Sequence, residues 1–377
     1  MLFVPFNVPP VTDIDLVYVS KTIERGRISG NGSYSVWTEQ LLGEVLGASG
    51  VLLTSSCTHA LEMSCFLLDL QLGDEVIVPS YTFVSIANAV ALAGGTPVFA
   101  DVLETTLNLD LASIKPLVNE RTRAVVVVHY GGVSVDMDPL LDFCAKREIK
   151  IIEDNAHGIF GSYKGRSLGT LGCLGTLSFH ETKNVSCGEG GALVVNESEF
   201  YERAEIIREK GTNRRQFLLG KVDKYTWVDI GSSWVLSEIL SSILYSQIER
   251  REELISSRTS AYMKYETLLS GWARENDVKT PVIPPFAKSS YHCFHIRFSN
   301  EDIRTKFIRH CDERGVNTVF HYQALNLSPM GIKLGGREGQ CPVAEQASKC
   351  LVRLPLFSGM TAQQSDQVIE SVLSFPF

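Results

Sequence analysis

Lys183 stands in the run Ser178-Phe179-His180-Glu181-Thr182-Lys183-Asn184, and Gly188-Glu189-Gly190-Gly191 follows closely. A lysine amine forms imines with aldehydes and becomes a good nucleophile when its pKa is lowered. Glycines beside it would let the backbone pass close to a bound ligand. The plainer alternative is a solvated loop lysine next to a tight turn. Asp154 follows the apolar stretch Ile149-Lys150-Ile151-Ile152. A carboxylate there is either a structural cap or the partner of a pyridinium nitrogen. In the second role it would keep the nitrogen protonated, so that the ring withdraws electrons from a carbanion.

Leu53-Thr54-Ser55-Ser56-Cys57-Thr58-His59-Ala60 precedes an apolar helical pattern. Its hydroxyl residues read as helix caps. The same helix end presents free N–H groups and a partial positive charge, which suits a phosphate, and the two uses are compatible. Phe83, just past another strand pattern, suits either the core or the face of a flat heteroaromatic ring. His292 and His295 lie three apart in a strand-like stretch, which predicts opposite faces and no metal site. Other chemistries lack their motifs. There is no phosphate-binding G-x-x-x-x-G-K-[ST] loop, no G-x-G-x-x-G after a strand and no G-x-S-x-G. Gly169 to Gly175 is rich in glycine but without a matching context.

The elements that must position these residues alternate between strand and helix from about residue 50. Strand patterns cover 75–78, 96–100, 124–129 and 149–152, with helical patterns between them. Continuous apolar runs of this length are buried on both faces, which predicts a mainly parallel sheet covered by helices. Ligands in such sheets bind at the carboxyl ends of the strands. Those ends carry Pro79–Phe83, His129–Gly132 and Glu153–His157. After about 200 a polar, basic loop runs to Asp229, and one long helix is predicted from about 235 to 270. Thr280–Pro285, with three prolines, reads as a linker. The remainder is too short for another large sheet. The division expected is a large domain over 1–235 and a long connecting helix with a small α/β domain over 236–377.

Composition narrows the class further. The 377 residues are 44% hydrophobic and 21% charged, which is ordinary for a soluble globular protein able to bury a large core. No apolar run approaches a membrane span, and the first residues lack signal-peptide character, so a cytoplasmic, non-membrane protein is expected. Nine cysteines, an odd number without a C-x-x-C pair, argue against a disulfide framework or structural zinc. A net charge of −8 argues against bulk nucleic-acid binding. The local cluster Arg208, Lys210, Arg214, Arg215, Lys221 and Lys224 still suits a small anionic ligand.

Together, these segments resemble the DegT/StrS family of sugar aminotransferases. The resemblance runs from Pro5-Phe6-Asn7 to Arg353-Leu354-Pro355-Leu356. It is carried by Thr54–Ala60, Gly73–Phe83, Glu153–His157, Tyr163–Arg166 and Ser178–Gly191. It implies the fold-type I α/β architecture, with a mainly parallel seven-stranded large sheet and a smaller C-terminal α/β domain. It implies pyridoxal 5'-phosphate as cofactor, covalently held by Lys183, with Asp154 on the ring nitrogen, Phe83 stacked on the ring and His157 near its hydroxyl. Thr58, the backbone of His59, and Ser178 would hold the cofactor phosphate. A homodimer with shared active sites is implied, in which 211–235 serves the neighbouring site. Gly30, Asn31, Lys210, Arg214, His321 and Tyr322 would face the substrate.

Within the family, 206–214 and 222–227 are closest to members that aminate dTDP-4-keto-6-deoxyglucose. With L-glutamate as donor, the implied product is dTDP-4-amino-4,6-dideoxygalactose, a precursor for cell-surface polysaccharide. The rivals are an equatorial 4-amine, a 3-keto substrate, or a regulatory module that binds the cofactor without turnover. Relatives that remove a 3-hydroxyl carry His at the lysine position, which Lys183 argues against. Three positions depart from the family pattern: Val235 replaces a cross-dimer Asn, Ala324-Leu325-Asn326 replaces Pro-Leu-His, and Asn155 replaces Ala.

Overall fold

The computed structural model describes residues 3–377. Its centre is a seven-stranded sheet. In chain order the strands are β1 (Gly50–Thr54), β2 (Glu75–Pro79), β3 (Thr96–Ala100), β4 (Thr122–Val128), β5 (Lys150–Asp154), β6 (Leu174–Ser178) and β7 (Gly191–Val195). Their spatial order is β1-β7-β6-β5-β4-β2-β3. Only β7 runs against its neighbours. Six carboxyl ends therefore open on one edge of the sheet.

Side-chain alternation divides the sheet's core into two layers. Val76, Val78, Val126 and Val128 pack on one face, with Ala60, Met63 and Val90 from the covering helices. Ile77, Val125, Val127 and Ile151 pack on the other, with Met137 and Leu140. Both faces are apolar, so these strands read as unbroken hydrophobic runs.

Helices α1 (Asp13–Glu24), α2 (Ser33–Leu46), α3 (Cys57–Leu67) and α4 (Ser85–Leu92) precede or cross the sheet. The head of α3 is capped by Ser56, whose side chain accepts the His59 N–H at 3.1 Å. The single helix predicted from 235 to 270 is two, Glu238–Glu249 and Arg251–Glu275. They meet at Arg250, whose guanidinium lies 3.1 Å from both carboxylate oxygens of the buried Asp15 on α1. The basic loop before them also contains a short helix, Arg214–Leu218.

The C-terminal part carries a three-stranded antiparallel sheet of β8 (Phe294–Arg297), β9 (Val319–Phe320) and β10 (Leu351–Leu354), with β10 in the middle. Phe294, Ile296, Phe307, Leu354 and Val368 form its core with Tyr262, Tyr265 and Leu269 of the Arg251–Glu275 helix. Val4 enters the same core, and its N–H donates to the Gly315 carbonyl at 2.7 Å.

Candidate active site

A cavity of about 300 Å³ opens at the carboxyl edge of the large sheet, against the C-terminal part. The head of α3 supplies Ser56, Cys57 and Thr58, and the turn after β2 supplies Thr82 and Phe83. Asp154 closes β5 and His157 follows it, while Ser178 closes β6 and Lys183 follows it. The C-terminal part adds His292, His321, Tyr322 and Arg353. The structure thus gathers Lys183, Asp154, Thr58, Phe83, His157, Ser178, His321 and Tyr322 around one space.

Burial governs the electrostatics here. It pulls the Lys183 amine down to about 8, against the opposing pull of Cys57 and Asp154, with Arg353 adding to the depression. It pushes the Asp154 carboxyl above the usual range, against the Ala156 N–H donated at 3.0 Å and the charge of Lys183. Burial, then Lys183 and Arg353, hold His157 well below the ordinary histidine value, so its ring is neutral. His157 Nδ1 accepts the Gly131 N–H at 3.3 Å, which leaves the ring proton on Nε2, 3.2 Å from the Tyr322 hydroxyl. The His157 ring also stacks on His292 at 4.2 Å between centroids.

The layer beneath orients Asp154. The neighbouring Glu153 carboxylate accepts from His129 Nε2 at 2.8 Å and from the N–H groups of Gly169, Leu171 and Gly172 at 2.9, 2.5 and 2.6 Å. The glycine-rich segment from Gly169 is therefore a wrapping for this buried carboxylate. The other glycine run has a similar use. A Cβ on Gly191 would fall 2.3 Å from the Ser56 carbonyl carbon and 2.4 Å from the Cys57 nitrogen. Gly191 thus approaches the head of α3, while Glu189 and Gly190 line the cavity itself.

His59 departs from expectation. Its N–H is used by the Ser56 cap, and its ring faces away, with Nδ1 2.7 Å from the Ser55 hydroxyl and the Trp234 ring nearby. The head of α3 offers the N–H groups of Cys57 and Thr58 instead, which have no carbonyl within the helix to bond.

Gly30, Asn31, Lys210 and Arg214 do not reach the Lys183 cavity within one chain. They line a separate open cleft of about 1160 Å³, with Ser233 and Val235. Much of the basic cluster there is already paired. Arg208 lies 2.6 Å from Glu39 and 3.2 Å from the Asn31 side-chain oxygen. Arg214 reaches Glu209 at 3.5 Å, and Arg215 pairs with Glu205. Lys210 is exposed in the same cleft.

Two departures from the family pattern acquire structural reasons. Asn326 is buried, accepts the Ser80 hydroxyl at 2.6 Å and donates to Glu345 at 2.7 Å, so it ties the C-terminal part to the end of β2. Asn155 donates to the Leu168 carbonyl at 2.8 Å, which anchors the glycine-rich wrapping.

Sequence reasoning missed His292 and Arg353 as cavity residues. His292 is not in the strand; β8 starts at Phe294, so the opposite-face expectation does not apply to this histidine pair. The signal for Arg353 was a lone charge inside the apolar strand Leu351-Val352-Arg353-Leu354. Among the described residues no cluster of three metal-ligating side chains occurs, and no helix is long and apolar enough to cross a membrane.

The donor set fits pyridoxal phosphate. It combines a depressed lysine, a buried carboxylate, an aromatic face and a helix N-terminus with flanking hydroxyls, around a space within the range of small-molecule sites. Comparison with known proteins agrees. Residues 12–373 match the DegT/DnrJ/EryC1/StrS aminotransferase family. The spore coat polysaccharide biosynthesis protein SpsC of Bacillus subtilis (strain 168) is 28% identical, covering 98% of this chain and 96% of its own. The aminotransferase TlmJ from Streptoalloteichus hindustanus superposes with a TM-score of 0.90 at 31% identity, over 98% of both chains. DesV of S. venezuelae, solved with a ketimine intermediate, gives 0.88 at 26% identity, over 99% of this chain and 98% of its own. The chain belongs to the DegT/DnrJ/EryC1/StrS family and is a pyridoxal-phosphate-dependent sugar aminotransferase.

Proposed function

We propose that this enzyme transfers the amino group of L-glutamate to C4 of dTDP-4-keto-6-deoxyglucose, giving dTDP-4-amino-4,6-dideoxygalactose for cell-surface polysaccharide in the cytoplasm. The observation that carries the chemistry is Lys183, depressed to about 8, in the same cavity as the buried Asp154. The sugar assignment rests on the segments 206–214 and 222–227.

In this reading Lys183 binds the cofactor and moves the proton in both half-reactions. It takes one from the donor's α-carbon and later delivers one to the sugar carbon. A depressed amine suits both tasks, because it exchanges protons near neutral pH. Asp154 holds a proton on the cofactor's ring nitrogen. Pyridoxal phosphate, when bound, supplies a ring that withdraws the negative charge developed at the reacting carbon. The N–H groups of Cys57 and Thr58, with the Thr58 and Ser178 hydroxyls, hold its phosphate. Phe83 covers the ring. His157, neutral and protonated at Nε2, shares that proton between the Tyr322 hydroxyl and the ring hydroxyl beside it. His321 and Tyr322 form the wall on the sugar side.

The enzyme acts as a homodimer. Gly30, Asn31, Lys210 and Arg214 of one subunit then meet the diphosphate-linked substrate in the other subunit's cavity. What supports this is their separation from Lys183 within a single chain.

Two measurements test the proposal. Lys183→Ala is expected to lose the cofactor–lysine absorbance band and both half-reactions, and turnover in that variant would end the assignment. Product NMR after incubation with dTDP-4-keto-6-deoxyglucose and L-glutamate is expected to show an axial 4-amine. An equatorial 4-amine, or an amine at C3, would replace the sugar assignment with one of its rivals.

A further inference from the structure

Ser289 to Cys293 precede β8, belong to no helix or strand, and form a strap held from two sides. On the side of the large sheet, the Ser290 N–H donates to the Gly132 carbonyl at 3.0 Å and its hydroxyl to the His157 carbonyl at 2.5 Å. The side chain of Asn184, next to Lys183 in sequence, donates to the Ser290 carbonyl at 2.8 Å. From the Arg251–Glu275 helix, the buried guanidinium of Arg258 donates to the carbonyls of Tyr291 and His292. Between these holds Tyr291 stands at φ 53°, a left-handed conformation that bulky residues rarely adopt. Such backbone persists only where its surroundings enforce it, and it collects at functional sites. What the strap delivers is the His292 ring, set in the cavity wall.

Its neighbours fix the proton on that ring. Asn184 uses its amide nitrogen on Ser290, so the atom facing His292 is the amide oxygen, 3.0 Å from Nδ1. An amide oxygen only accepts, so Nδ1 carries the hydrogen. Burial, then His157, Lys183, Arg258 and Arg353, hold the ring well below the ordinary histidine value, so it is neutral. Nε2 is left with a bare lone pair. It has no partner among the described residues, and unlike His295 Nδ1 it is not sealed, so it opens onto the cavity. The ring stacks on His157, with centroids 4.2 Å and planes 18° apart. The acceptor therefore sits on the stretch of wall that Lys183 and His157 share.

An acceptor at this place discriminates between the two substrates that an aminotransferase admits in turn. The amino donor carries a carboxylate beside its reacting carbon, which has no proton to give at neutral pH. A 4-keto-6-deoxy sugar carries one hydroxyl beside its ketone, at C3, because C5 bears only the ring oxygen and the methyl group. We propose that His292 Nε2 accepts the hydroxyl on the sugar carbon next to the ketone. The proposal rests on the keto-sugar reading above, and it names a residue that recognises the sugar ring rather than the diphosphate. A site built to bond a hydroxyl rejects the analogue that lacks it, because its own polar atom is then left unpaired.

Two isosteres separate the ring's two nitrogens. His292→Asn puts an amide where Nδ1 stands and nothing where Nε2 stands, and His292→Gln does the reverse. The pyridoxamine-phosphate form of each protein is given dTDP-4-keto-6-deoxyglucose or its 3-deoxy analogue, and the return of the cofactor absorbance band is timed. Wild type is expected to prefer the hydroxyl-bearing sugar by about tenfold or more in kcat/KM. His292→Asn is expected to bring that ratio within about twofold of one, and His292→Gln to keep most of it. Calorimetry with unreactive dTDP-6-deoxyglucose and its 3-deoxy form is expected to give the same ordering without turnover.

A preference that survives in His292→Asn would overturn the proposal. So would its loss in His292→Gln alone, which would mean that the ring acts only through Asn184. A wild type indifferent to the hydroxyl would overturn it before any variant is made. If His292→Asn fails to fold or to hold cofactor, His292→Phe, which keeps a ring against His157 and removes both nitrogens, is read in the same way. Rejection of both sugars by the wild type would instead remove the sugar assignment, and this hydroxyl with it.

Discussion

Oε2 of Glu153 lies 2.8 Å from Nε2 of His129, and both side chains are sealed from solvent beside Asp154, the residue proposed to face the cofactor nitrogen. His129 Nδ1 accepts the Val135 N–H at 3.2 Å, so its proton is on Nε2 and points at Glu153. With three backbone N–H groups from the glycine-rich segment, the carboxylate has four donors and no need of water. Glu153→Ala would leave all four buried and unbonded. We expect a loss of about 3–5 kcal/mol in urea unfolding, since four buried donors lose their one charged acceptor. Stability within 1 kcal/mol of wild type, roughly the effect of an ordinary surface change, would show that water or a rearranged loop replaces the carboxylate.

Asp154 sits on the same strand end with the opposite balance. Burial raises its pKa, so above the folded value the protein holds a charged carboxylate at a cost that is absent below the unfolded value. Asp154→Asn removes that cost. The cofactor-free variant is expected to be no less stable than wild type at pH 7 in chemical denaturation. Its kcat is expected to fall about 100-fold or more, because the neutral amide cannot keep the ring nitrogen protonated. A variant that is destabilised yet still active would reverse both halves of the argument.

Lys183 gives a pH dependence of definite sign. Its folded pKa is lowered from 10.5 to about 8, so the amine is protonated below 8 and neutral above. Only the neutral amine attacks an aldehyde. The rate of pyridoxal phosphate uptake by the cofactor-free protein should therefore climb with pH and level off near 8, rather than continue towards 10.5. Between these values the unfolded chain binds more protons than the folded one, so stability should rise with pH over the same window. The penalty is complete below 8 and gone above 10.5. Stopped-flow absorbance checks the first expectation, and a midpoint above 10 would mean that the amine reaches water.

The elements that carry these residues were legible because their burial is two-sided. Val76–Val78 and Ala124–Val128 are apolar at every position since helices cover both faces, and such runs allow few other readings. Lys183, Asp154, Phe83 and Thr58 were legible as a set because each follows its own strand at the same sheet edge. What remained hidden depended on contacts distant in sequence. The break at Arg250 accompanies its clamp on Asp15, 235 residues away, which no local periodicity reports. Arg353 and His292 reach the cavity only when the C-terminal sheet packs against the large one. The Ser56 side chain, three residues before His59, accepts the His59 N–H, a cap that the run of hydroxyl residues alone did not assign to one position.

The division of the proposed site between two clefts leads to a test that needs no structure of the dimer. Lys183 and Asp154 line one cavity; Asn31, Lys210 and Arg214 line another in the same chain. If each active site takes its cofactor machinery from one subunit and its diphosphate contacts from the other, two different inactive variants should repair each other. Lys183→Ala is expected to be inactive, and Lys210→Ala combined with Arg214→Ala to be strongly impaired through KM for the nucleotide sugar. Subunits mixed after reversible dissociation would pair at random. Some dimers would then carry one site with an intact lysine facing an intact basic cleft, and activity should return in the mixture alone. Sedimentation would confirm that mixed dimers formed. If they form and activity does not return, the basic cleft serves its own subunit's chemistry or none, and the shared-site arrangement is wrong.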